Sequence, residues 1–139
     1  MTNAVISIKS TQKDEGDPQP AEITFITDGD YERTDDGCAI TYKEGELTGY
    51  HGVTTHLNID SEKVSMWRSG GAGADMVFQK GVRHHALMQS PEGTISFCVV
   101  TKQLDRTPID NGEVLYLDYN LEVNGNLISQ NTMELKIEF

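Results

Sequence analysis

Away from its turns the chain alternates apolar and polar residues with period two. Ile23 and Phe25 lie on the face opposite Glu22, Asp28, Asp30 and Glu32, and Leu115 and Leu117 alternate with polar neighbours in the same way. Alternation of this kind marks a β-strand with one dry and one wet face. No segment holds helical spacing long enough to predict a helix. Ten strands are predicted, at about 4–10, 22–33, 38–44, 52–59, 63–69, 75–80, 83–89, 94–102, 113–123 and 126–138. Turn residues separate them at Asp36-Gly37, Lys80-Gly81, Pro91-Glu92-Gly93 and Asn124-Gly125, and Asp14 to Pro20 reads as a polar loop.

A one-residue slip sends every side chain of a strand to the wrong face, so the apolar pattern tests each register. In the last hairpin a two-residue Asn124-Gly125 turn sets Leu117 against Thr132. A three-residue loop, Asn124 to Asn126, sets Val123 against Leu127, Leu117 against Met133 and Leu115 against Leu135, and is preferred. A four-residue loop from Asp60 to Lys63 pairs Ile59 with Val64, Leu57 with Met66 and Thr55 with Arg68. A loop from Ser90 to Gly93 pairs Met88 with Ile95, Ala86 with Phe97 and His84 with Val99. A Lys80–Val82 loop puts Phe78 opposite His84 and Met76 opposite Ala86, and Tyr31 meets Ile40 across Thr34–Gly37.

These registers describe a sequential antiparallel meander whose dry face holds Phe25, Ile40, Tyr42, Leu57, Ile59, Met66, Phe78, Phe97, Val99, Leu115, Leu117, Met133 and Leu135. A sheet of eight to ten strands closes around an interior wide enough for side chains or one small ligand. The expected fold is all-β: an antiparallel up-and-down barrel formed by a single domain over residues 1–139.

Composition narrows the partners. Eleven basic against 22 acidic residues give a formal charge of −11, which disfavours nucleic acid and anionic membranes because phosphate contacts need clustered Lys and Arg. No segment reaches membrane-spanning or signal-peptide length, so a cytoplasmic protein with reduced Cys38 and Cys98 is expected. The acidic run around Asp28 to Asp36 reads as a solvated face. As a calcium loop it has Arg33 in place of the Gly and Ala39 in place of the Glu.

The chemistry worth weighing points inward. Thr55, Arg68, His84, Tyr119, Ser129 and Asn131 share the parity of the dry face. A buried guanidinium needs acceptors, from a ligand carboxylate or from the protein's own groups and water. The leading expectation is a non-enzymatic binding module for a small apolar or anionic ligand. Arg68 would orient the polar end, and Met66, Phe78, Met88, Phe97, Leu117 and Met133 would line the apolar part. The alternative is a filled barrel acting as a protein-interaction or homodimeric module, and a hydrolase or isomerase using His84 and Tyr119 ranks third. No cofactor, metal or catalytic motif is read. His51 and His56 face opposite ways, as do His84 and His85, and Cys98 has no base beside it on its own strand. The Ser69–Ala74 stretch lacks the Lys and following helix of a phosphate loop and reads as a flexible strand connection near a barrel end. Trp67 has outward parity.

Several short segments carry a resemblance: Glu46-Leu47-Thr48-Gly49, Gly52-Val53-Thr54-Thr55, Arg68-Ser69-Gly70, Met76-Val77-Phe78, Lys80-Gly81, His84, Pro91, Gly93 and Leu127-Ile128-Ser129-Gln130-Asn131. Together they resemble the YwiB-like family of small bacterial proteins. The resemblance implies a calycin-type (lipocalin-like) β-barrel, a cytoplasmic bacterial setting and no assigned activity. Met88 and Glu92 stand where that family's pattern favours aromatic residues.

Overall fold

The computed structural model describes residues 2–44, 52–69, 73–90 and 92–139, with backbone alone at 73–74 and 89–90. Its elements are β1 (Thr2–Asp14), β2 (Ala21–Arg33), β3 (Cys38–Lys43), β4 (Thr54–Ile59), β5 (Lys63–Ser69), β6 (Gly73–Ala74), β7 (Met76–Gln79), β8 (Arg83–Ser90), β9 (Gly93–Ile109), β10 (Gly112–Val123) and β11 (Asn126–Glu138). Among the described residues, no helix is long and apolar enough to cross a membrane.

The eleven strands form one antiparallel sheet in the order β6-β8-β9-β10-β11-β1-β2-β3-β4-β5-β7. β6 and β7 are two halves of one run of chain broken at Asp75: β7 lies within the strand expected at 75–80, whereas Gly73-Ala74, read from the sequence as part of a connection, form the short β6. The first half pairs with β8, Gly73 facing Gln89. The second pairs with β5, Phe78 facing Val64. Both ends of the sheet therefore meet in the same run, and the up-and-down barrel is nearly closed. The expected pairing of Phe78 with His84 and Met76 with Ala86 is not formed as a ladder. Met76 instead faces Met66 on β5, because the short run switches partner at Asp75.

The other registers follow the apolar pattern. Ile59 faces Val64 and Thr55 faces Arg68, Ala86 faces Phe97 and His84 faces Val99, and Tyr31 faces Ile40. In the last hairpin Leu117 faces Met133 and Leu115 faces Leu135, as expected, but the loop differs. The turn is the two-residue Asn124-Gly125, with φ of 53° and 80°, the positive values that a tight hairpin turn of this hand requires. The extra residue sits in a bulge, where Leu121 faces Ser129, Glu122 faces Leu127 and Ile128 is left over. A second bulge leaves Lys102 unpaired between Thr101 and Gln103, and it lets β9 run on to Ile109, past the expected end at 102.

One end of the barrel is packed solid. Ile6, Ile59, Val64, Phe78, Leu115 and Ile137 from six different strands are fully buried there. β1, which the sequence marked only as a strand, contributes Ala4, Ile6 and Ile8 to the core. The far end is not filled, and Phe25 is only partly buried against the core.

Candidate functional site

Residues near the ends of β1, β3, β5, β8 and β10 and the starts of β2, β7, β9 and β11 enclose an open-ended cavity of about 450 Å³. Its apolar wall comes from Ile8, Ile23, Phe25, Phe97 and Leu121, together with Met66, Met76, Met88 and Met133, so four of the chain's five methionines face this one space. Methionine has a flexible, polarizable side chain that adapts to ligands of more than one shape.

The charged part of the lining is Glu44, just past β3, and Arg68 on β5, while β1 adds the polar Ser10, Thr11 and Gln12. Tyr42 and Glu44 continue the inward parity of Cys38 and Ile40. Glu44 lies just past the end of β3, where its N–H donates to the Val53 carbonyl oxygen at 2.9 Å and extends the ladder. Its carboxylate accepts a hydrogen bond from Thr55 Oγ1 at 2.6 Å and lies 3.7 Å from Arg68 Nε. Both charged side chains are largely withdrawn from water, at 3% exposure for Glu44 and 12% for Arg68. Burial, and after it the nearby Glu44 charge, pushes the Tyr42 phenol well above its usual range, so it stays neutral. Across the cavity Asn131 Nδ2 donates to Ser129 Oγ at 3.0 Å and to the Tyr119 carbonyl oxygen at 3.5 Å.

The residues singled out in the sequence fall in four places. Arg68, Tyr119, Asn131, Met66, Met88, Phe97 and Met133 line the cavity. Thr55 and Ser129 are buried behind it, holding Glu44 and Asn131 in place. Phe78 and Leu117 belong to the packed core, with the Phe78 ring edge-on to Tyr119 at 4.7 Å. His84 does not line the cavity, and its Nε2 lies 3.0 Å from Gln79 Oε1. His51 and residues 70–72 of the glycine-rich stretch lie outside the described residues. Trp67 is half-buried on the outer face and stacks on His56 at 5.2 Å.

Glu44 was not recognised from the sequence, although it ends a strand whose parity was assigned. A second polar cluster also escaped that reading. At the packed end Arg106 grips Glu113 with two hydrogen bonds, at 2.9 and 3.0 Å, and the buried Cys38 thiol donates to the same carboxylate at 3.2 Å. Its members are far apart in sequence, and no short motif announces them.

Comparison with known proteins agrees with this architecture. The crystal structure of ywiB protein from Bacillus subtilis superposes with a TM-score of 0.82 at 21% sequence identity, covering 99% of this chain and 91% of that one. At that identity the likeness speaks for the fold alone. No curated protein matches the sequence. A family model of unknown function, DUF1934, matches residues 6–135, and the chain belongs to that family.

Proposed function

We propose that this protein is a non-enzymatic binding module that holds one small, mainly apolar ligand in the open half of its barrel. The observation that carries this reading is the cavity of about 450 Å³, whose wall includes four methionines and several aromatic side chains, with polar groups from β1, β3, β5 and β11 between them. Small-molecule sites typically enclose roughly 300–1,000 Å³ of such surface. Arg68 already has the Glu44 carboxylate beside it, which favours an uncharged polar end on the ligand. An anionic group would have to compete with Glu44. The acidic balance of the chain supports a setting away from nucleic acid and anionic membranes. A cytoplasmic location remains part of this reading.

The test is titration with the neutral apolar fluorophore N-phenyl-1-naphthylamine, followed by displacement with alcohols, amides and carboxylates of equal chain length. Saturable enhancement is expected, with displacement by neutral amphiphiles ahead of carboxylates. Met88→Trp, which places a bulky indole ring in the half-buried wall, should abolish the signal while leaving the melting temperature close to that of the parent. Absence of saturable binding, or binding indifferent to Met88→Trp and to Phe97→Trp alike, overturns the proposal.

A further inference from the structure

Cys98 lies on the outer wall of the barrel, partly exposed, in a cluster of side chains that the cavity does not use. The antiparallel pairing of β8 with β9 sets His85 directly opposite it, and Cys98 Sγ lies 3.3 Å from His85 Nδ1. Arg83, two residues away on the same face of β8, reaches over β9 to form an ion pair with Glu122 on β10. Its guanidinium also meets the Cys98 sulfur. Glu122 is itself the Cα partner of Cys98 on the other side, and its negative charge is engaged by Arg83. The next charged neighbours, Lys102 and Asp118, pair with each other at 3.5 Å.

We propose that Cys98 is a reactive thiol, activated by His85 and Arg83, that undergoes exchange with small uncharged disulfides. A thiolate is the nucleophile in such exchange, and a neighbouring base and cation favour its formation. The Cys98 proton passes to His85 Nδ1, and the sulfur attacks one sulfur of the disulfide. The new S–S bond forms as the old one breaks, and the departing thiolate takes the imidazolium proton to leave as a thiol. One protein thiol and one disulfide thus become one mixed disulfide and one thiol. The overall acidity of the chain and the adjacent Glu122 favour an uncharged partner over an anionic one. Cys38 serves as an internal contrast. It is fully buried and hydrogen-bonded to Glu113, and burial first, with the Glu113 hydrogen bond second, pushes its thiol up to about 12.

The experiment is reaction of the folded protein with the neutral reagent 2,2′-dithiodipyridine, followed by absorbance and by mass mapping of the modified peptide. One thiol per chain should react fast, map to Cys98 and disappear in Cys98→Ser. His85→Gln, a change at an exposed position, should slow the reaction about tenfold or more near pH 6. The difference should shrink near pH 10, where a thiol ionises without help. Arg83→Gln should give a smaller slowing in the same direction. Equal rates for the parent and His85→Gln at both pH values, no faster reaction at Cys98 than at Cys38, or no reaction until the protein is unfolded, would each overturn the proposal.

Discussion

Glu44 and Arg68 come within 3.7 Å of each other from two strands that flank β4 and are both largely buried, so each helps compensate the other for leaving water. Removing one partner of such a pair costs more than removing both, because a stranded charge is left behind. Arg68→Met should lower stability by about 2–4 kcal/mol, somewhat less than for a sealed pair because the cavity admits water. Glu44→Leu combined with Arg68→Met should recover most of that loss. Urea unfolding of the two single variants and the double variant gives the coupling directly. A loss below about 1 kcal/mol for Arg68→Met would mean that the pair behaves as an exposed one. Because Arg68 has this structural role, weakened ligand binding in Arg68→Met is informative only alongside its unfolding curve.

The packed end should give the stability profile an alkaline and an acidic limb. Cys38 binds its proton more tightly when folded, at about 12 against an ordinary 9.0. Its contribution is therefore full below pH 9 and fades as pH rises from 9 toward 12. Glu113 moves the opposite way. Burial raises it, but the Arg106 and Cys38 hydrogen bonds outweigh burial and leave it below its ordinary 4.5. Its contribution is present above that value and is lost as pH falls through the lower folded value. Thermal melts across pH should show Cys38→Ala flattening the alkaline limb and Arg106→Gln flattening the acidic one. An alkaline limb unchanged in Cys38→Ala would remove the thiol from the account.

The β9–β10 turn offers a test of backbone geometry. Gly112 has φ of 152°, and a Cβ built there would fall 1.7 Å from the Ile137 carbonyl oxygen. No side-chain rotation relieves a clash with backbone. Gly112→Ala should therefore cost about 2 kcal/mol or more, through displacement of β11 against β10. A melting temperature within about 1 °C of the parent would show that the strand shifts without penalty.

Much of the fold was legible because each strand has one dry face. Leu117 with Met133, Leu57 with Met66 and Ala86 with Phe97 are paired as the apolar pattern requires. What the pattern cannot encode is an inserted residue. Ile128 and Lys102 each shift a ladder by one, and a count that assumes regular pairing moves that residue into the loop. Partner switching at Asp75 escaped for a related reason, since the pattern assigns faces and leaves neighbours open. The site was read in part. Parity sent Arg68, Asn131 and Tyr119 inward but did not separate lining residues from core ones such as Phe78 and Leu117. Glu44 was passed over although it continues the parity of Ile40 and Tyr42. Cys98 was judged on its own strand, yet the register that paired His84 with Val99 already implied His85 beside it.

The contrast between a solid end and an open end means that single strands traverse two mechanical regimes. β10 passes from fully buried Leu115 and Leu117 to partly exposed Leu121 at the cavity. Amide protons at the first two should therefore exchange only when the whole molecule opens, while those near Leu121 escape through local breathing. Such a gradient separates the residues that keep the chain folded from those that edge the open end, so a substitution near Leu121 can loosen one rim without unfastening the molecule.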